Sequence, residues 1–597
     1  MAKSAIKKAK DSLPNWDLRD LYPAMDHPNV ARDIKRCDVD SKAFAKNYQG
    51  RIAKLSGVNF AKAIAEYEAL ADKFGKLGTY AQLLYAGDMS DENIVQFYQN
   101  TVETITGFSA RLVFFTLEIN ALSEAALKAK MAHAGVAHYA PYLRDVRALK
   151  PYQLAENLEL YIHKKSVTEN AWQRLFDESM DRLRFPLAGK SLTSAEALDL
   201  LSNKDGKKRE AAAHSIAATF KQNAPLFTLI TNTLAKAKSI DDEVRDYPQP
   251  ISARNISNQV EDKVVEALLS TVRQNYAQLS HRYYAWKAKQ MGVKSLNYWD
   301  RNAPLPAADD TPIAWDKAKT LVLDAYQAFS PTLAKLGKDF FDKNWIDVPV
   351  RAGKSPGAFA HPSVPSSHPY LLLNYQGKIR DVMTLAHELG HGVHQVLAAK
   401  QGALMADTPL TLAETASVFG EMLTFQSILA AEKNPKKRQL LIAQKIEDML
   451  NTVVRQVAFC TFEEQVHDKR KLGELSADQI GKIWMDTQRE SLGQAIKLDP
   501  EYASYWMYIP HFIHSPFYVY AYAFGDCLVN SLYASYQAES AKGRAKPFEK
   551  KYIAMLSAGG TLRHKELLKP FGLDASKPSF WQQGINVISG YIDQLEA

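Results

Sequence analysis

A chain of 597 residues with 46% hydrophobic and 23% charged positions has a soluble globular composition, which excludes a disordered or fibrous protein. At roughly 100 to 200 residues per domain, it is long enough for several structural units and a sizeable core. Its 74 basic and 66 acidic side chains leave a net charge of +8, and no aromatic-studded basic stripe accompanies them, so a nucleic-acid partner is not expected.

Along the chain, the one basic cluster, residues 3–10, lies at the extreme N-terminus, and residues 1–17 hold no apolar core of signal-peptide length. Nowhere do about 18 consecutive apolar residues occur, so no membrane span is expected and the cytoplasm is the expected compartment. Residues 61–84 read as a long amphipathic helix, and joints fall around 187–194 and 247–252. In 261–292 the positions Val265, Leu268, Leu269, Val272, Tyr276 and Leu279 follow helical spacing, and Gly292 supplies a stop. Between 347 and 378, five prolines and three glycines break the helical pattern, leaving short strands at 348–351 and 370–375. A helix then starts near Asp381. Further on, 438–467 carries Ile442, Ile446, Leu450, Val453, Val457 and Cys460 on one stripe, with Pro435 just ahead of it. Cys37, Cys460 and Cys527, odd in number and far apart, argue against a disulfide framework or a thiolate metal site. The expected architecture is mainly α, with a small β element beside one helix.

That helix carries the strongest chemical signal. His387-Glu388-Leu389-Gly390-His391 places two imidazoles four residues apart, one above the other on a helix, where both can bind one zinc ion. Glu388, beside the pair, can take a proton from water attacking a carbonyl carbon without itself being a ligand. A variant with Gly at 394 and a third His at 397 is excluded, because those positions hold His394 and Leu397. Two glutamates seven apart, Glu414 and Glu421, share a face of a following helix. Glu414 is read as the third ligand, since it sits among apolar and small residues where an unpaired carboxylate would be costly. Glu421 is read as a carboxylate supporting a ligand or as a solvated one. Asp381 either orients an imidazole or interacts with the helix dipole. His394 either supports the site or is simply a partly buried histidine.

Near the C-terminus, 509–525 concentrates His511, His514, Tyr518, Tyr520 and Tyr522, donors of the type that stabilise a developing oxyanion. Tyr520, facing away from Tyr518 and Tyr522 on a helix, is read as a core aromatic. Eight of the 15 histidines fall between 361 and 514, which favours a functional cluster.

Four blocks now resemble the oligoendopeptidase F branch of the thimet oligopeptidase-like zinc metallopeptidases: WDLRDLYP at 16–23, YLLLNYQGKIRDVMTLAHELGH at 370–391, ETASVFGE at 414–421 and HFIHSPFYVYAY at 511–522. The resemblance implies that His387, His391 and Glu414 bind one zinc ion per chain and that Glu388 is the general base. It also implies a two-lobed helical shell around a deep channel, with an N-terminal helical region, 1–195, ahead of a catalytic domain, 196–597. Short peptides are the implied substrates, since folded proteins cannot enter such a channel. The family's transition-state donors are a histidine and tyrosines of the last block. His511 and His514 both fit; His514 is preferred with Tyr518, four residues away, and Tyr522 is added one turn further. The 370–375 strand is expected to offer backbone groups to an extended peptide. The expected activity is that of a zinc endopeptidase. An end-restricted carboxypeptidase and a peptide-binding protein without hydrolysis are the alternatives, separable by the products of digestion.

Overall fold

The computed structural model describes residues 13–305 and 312–597. The basic cluster at 3–10 lies outside the described residues. The chain is mainly helical and forms two compact units, each assembled from three segments: Met1–Lys150, Asp310–Ala431 and Tyr536–Gly572 in one, Pro151–Asp309, Glu432–Ser535 and Leu573–Ala597 in the other.

In the first unit the helix expected at 61–84 runs over Gly57–Gly87, with the Ser56 hydroxyl accepting the Asn59 N–H as its N-cap. Helices α1 (Trp315–Phe329) and α2 (Pro331–Asp342) lead into a sheet of β1 (Ile346–Pro349), β2 (Phe359–His361) and β3 (Tyr370–Tyr375), then α3 (Ile379–Ala398) and α4 (Leu410–Ala431). The strand expected at 348–351 is β1 and starts two residues earlier. It ends at Pro349, which has no N–H to continue a ladder. Strand β3 occupies its expected residues, but it is central: β1 pairs with it in parallel and β2 antiparallel. Its run Tyr370-Leu-Leu-Leu is wholly buried, as expected for a strand covered on both faces. Over Tyr370–Leu372 both edges of β3 are therefore occupied, and that stretch cannot receive a peptide by strand addition. The sequence signal missed β2 altogether, a three-residue strand too short for a detectable period.

A buried ion cluster fixes this sheet. Asp347 of β1 accepts two bonds from Arg351, at 2.7 and 2.6 Å, and one from Lys354 at 3.0 Å. The Lys354 ammonium also donates to the carbonyls of Pro349 and of Leu373 in β3, at 2.9 and 2.6 Å. Three or more partners for a fully buried ammonium satisfy what burial alone would make costly.

In the second unit, 261–292 is not one helix but two, Asp262–Gln274 and Ser280–Gln290, with a single tight turn at Tyr276–Gln278 between them. All six apolar positions stay buried, so the stripe survives the bend. Gly292, at φ +71°, terminates the second helix in the left-handed conformation. Likewise 438–467 divides at Val453 into α5 (Pro435–Thr452) and α6 (Val454–Leu472), within a β-branched run that crowds the helix backbone. Pro435 opens α5, with the Asn434 side chain capping the N–H groups of Lys436 and Lys437. The joint expected at 187–194 is a hairpin, Phe185–Leu187 with Lys190–Leu192, turned by Ala188 and Gly189 at positive φ. The segment 509–525 ends in α7 (Tyr520–Ala541), whose first half is buried. Among the described residues, no single helix is long and apolar enough to cross a membrane. All three cysteines are buried free thiols.

Candidate metal centre

Helix α3 begins where the Pro/Gly-rich segment ends. The Asp381 carboxylate accepts the backbone N–H groups of Gln376 and Lys378, at 2.8 and 3.0 Å. It is thus a capping group that also favours the dipole, and this bonding excludes the alternative of orienting an imidazole.

Two glycines of α3 explain how the histidines acquire a partner from another helix. A Cβ on Gly390 would lie 2.5 Å from the Ala416 carbonyl oxygen and 2.6 Å from Ser417 Cα, so α3 and α4 touch backbone to backbone there. A side chain on Gly392 would meet the Phe340 ring. On the α4 side, Gly420 leaves room for the Tyr326 hydroxyl, which donates to the Ala386 carbonyl at 2.8 Å. This close approach carries Glu414 over the two imidazoles.

One ligand atom each from His387, His391 and Glu414 lies within 4.8 Å of the others. Glu414 Oε2 is 3.3 Å from His387 Nε2 and 3.5 Å from His391 Nε2. Tetrahedral zinc with bonds of roughly 2.0–2.1 Å separates its ligands by about 3.3 Å, so the donor set fits that ion in type and spacing. Ser417 donates its hydroxyl to the same Glu414 oxygen at 2.6 Å. Glu421 Oε2 lies 3.3 Å from His387 Nδ1, so the two nitrogens of that ring each face a carboxylate. Glu414 thus lies with the two imidazoles, and Glu421 on the other nitrogen of His387.

The charges point the same way. Burial opposes protonation of His387, yet Glu414 and Glu421 together raise its pKa well above the usual imidazole range. Burial raises the Glu414 carboxyl, but His387 and His391 outweigh it and hold the group down at about 2. Two carboxylates against a buried imidazole call for positive charge at this point. Burial lowers His391 to about 4, the neutral form that a metal ligand requires. Glu388 is 8% exposed, and burial with the Glu414 charge pushes it up to about 7 against the pull of His387 and of the Ala360 N–H in β2. A carboxylate tuned near neutrality suits a general base. His394 is buried, with Thr408 Oγ1 3.5 Å from its Nε2, and lies outside the three-residue set.

The C-terminal block departs from its expected helix. His511–His514 forms one short turn, Ser515 leaves the helical region at φ −148°, Phe517 is left-handed at φ +60°, and α7 starts only at Tyr520. His514 and Tyr518 consequently share no helical face. His514 Nε2 instead lies 2.8 Å from Asp177 Oδ1. The structure groups His511 with the tyrosines: its Nε2 is 3.2 Å from the Tyr522 hydroxyl, and the Tyr518 and Tyr522 rings meet at 5.3 Å. Ser515-Pro516 carried the missed signal, because the residue before a proline is driven out of the helical region. Tyr520 is fully buried, and its hydroxyl accepts from Asn258 Nδ2 at 2.8 Å, a core role as expected.

Comparison with known proteins extends this reading beyond the local geometry. The family described as Peptidase family M3 matches residues 324–587, and that described as Oligopeptidase F matches 118–185; together they span more than half of the chain. Oligopeptidase PepF of Bacillus subtilis is 23% identical, over 99% of this chain and 87% of its own length. An oligoendopeptidase F homolog of Borreliella burgdorferi is 25% identical over 97% of both chains. The fold is shared with a solved structure from Chlamydophila abortus at TM-score 0.84 and 22% identity, covering 98% of this chain and 99% of the other. It is shared also with oligoendopeptidase-F from Enterococcus faecium at TM-score 0.70 and 20% identity, covering 95% and 98%.

Proposed function

We propose that this chain, which belongs to peptidase family M3 and is a metalloendopeptidase of the oligopeptidase F type, uses one zinc ion and Glu388 to hydrolyse internal bonds of short oligopeptides. The observation that carries the reading is the meeting of His387, His391 and Glu414 within 4.8 Å, with Glu421 on the far nitrogen of His387. Those three residues would hold the ion, which when bound supplies Lewis acidity toward a carbonyl and toward water. Glu388 takes the proton of the attacking water and returns it to the departing amine. Its low exposure and raised pKa equip it for both transfers.

Strand β2 replaces β3 as the element that would align a peptide. It pairs with β3 along one side only, and its Ala360 N–H is bonded to Glu388, so a strand added beside β2 would run next to the base. The cluster of His511, Tyr518 and Tyr522 is assigned the donor role toward the developing oxyanion, with His511 in place of His514. An N-terminal region, 1–195, ahead of a catalytic region, 196–597, and a cytoplasmic location complete the proposal. Three buried free thiols are in keeping with that compartment.

The test is direct. Purified protein should contain about one zinc per chain and cleave a quenched fluorescent peptide, with mass spectrometry showing internal cuts. Glu388→Gln should lower turnover by about 100-fold or more while zinc is retained. Turnover within tenfold of wild type would remove Glu388 from the base role, and products released only from the C-terminal end would make the enzyme a carboxypeptidase.

A further inference from the structure

The turn that brings Tyr518 and Tyr522 alongside His511 is held in an unfavourable conformation. Phe517 is a bulky residue at φ +60°, where a Cβ clashes with the backbone, so surrounding groups must over-determine it. Those groups can be named. The Phe517 N–H donates to Glu463 Oε1 of α6 at 2.9 Å. Its fully buried ring meets His467, one turn further along α6, at 4.9 Å between centroids, and lies 5.8 Å from the Lys238 ammonium. The preceding carbonyl, of Pro516, accepts from Arg254 Nε at 3.1 Å. The Arg254 guanidinium also lies 5.8 Å from the Tyr518 ring centroid. One turn on, Asn258 holds the Tyr520 hydroxyl.

We infer that Glu463 and Arg254 are positioning residues for the tyrosine donors: by fixing the Pro516–Phe517 peptide from its two sides, they set the direction in which Tyr518 and Tyr522 enter α7. This rests on the proposed donor role of those tyrosines. Glu463 is only 2% exposed, and beyond the Phe517 N–H its second oxygen has no hydrogen-bond partner. Burial pushes its carboxyl up to about 8 against the pull of that N–H, so the group is mostly neutral at pH 7 and acts as an acceptor rather than as a charge. Glutamine, neutral and isosteric, can replace it in that role. Leucine cannot.

The test compares Glu463→Leu, Glu463→Gln and Arg254→Met in the full chain, with kcat normalised to bound zinc. Glu463→Leu and Arg254→Met should each lower kcat tenfold or more with KM within about threefold, and Glu463→Gln should stay within about threefold in both. Affinity for a phosphinic peptide, which mimics the tetrahedral state, should fall in parallel with kcat/KM. A merely structural role would lower thermal stability without that parallel. Wild-type kcat per zinc in Glu463→Leu, or equal damage in Glu463→Gln, overturns the inference; should Glu463→Leu fail to fold, Arg254→Met decides. If Tyr518→Phe loses kcat while Glu463→Leu and Arg254→Met do not, only the positioning role falls. If Tyr518→Phe and Tyr522→Phe both keep wild-type kcat, the donor reading itself is wrong.

Discussion

Residues 378–421 and 509–525 both hold candidate site residues four apart, His387 with His391 and His514 with Tyr518, yet only the first pair converts that spacing into proximity. In α3 the helix runs unbroken from its Asp381 cap past both imidazoles, and Gly390 lets α4 close over them. In the C-terminal block Pro510 and Pro516 bracket a single helical turn, and the left-handed Phe517 re-aims all that follows. A periodic spacing is informative only where the backbone period it assumes survives; prolines at the right offset are the warning that it does not.

The comparison can be broken at several points. The largest effect should come from His391→Ala, which removes one of three ligands from a continuous helix. Bound zinc, measured on dialysed protein, should be lost and peptide turnover should fall about 1,000-fold or more; retention of both would sink the metal assignment. Next, His511→Ala should lower kcat by about 10- to 100-fold, whereas His514→Ala should change it by less than about threefold. The reverse order would mean that the helical spacing, and not the turn, governs the block. Glu421→Gln weakens the acceptor on His387 Nδ1 and should reduce zinc affinity by about 10- to 100-fold in chelator competition. At saturating zinc most of its activity should return. The smallest effect belongs to Asp381→Ala, which removes a cap: about 0.5–1 kcal/mol of stability by denaturant unfolding, with kcat unchanged. A loss of zinc affinity there would restore the imidazole-orienting role.

The same contrast separates the features that are local in sequence from those that are not. The His387–His391 pair, the choice of Glu414 over Glu421 and strand β3 are local statements, each needing only one regular element and a burial argument. The bends at Val453 and at Tyr276–Gln278 were invisible because the apolar stripe passes through them intact. Strand β2 was invisible for its length, and so was the central position of β3, since strand order is not a property of one strand's sequence. Glu463 and Arg254 carried no motif. Their significance lies in which peptide they hold, and that peptide is 54 residues from the first.

The helical class and the stacking of two imidazoles on one face were legible in the sequence alone, because a four-residue interval on a helix has one geometric outcome. Only the tertiary structure shows which edge of the sheet is open, that Glu421 meets His387 Nδ1, and that His511 and not His514 joins the tyrosines. Each of these depends on long-range packing: a neighbouring strand, a helix approach permitted by the missing Cβ of Gly390, and a turn held in a strained conformation by residues distant in the chain.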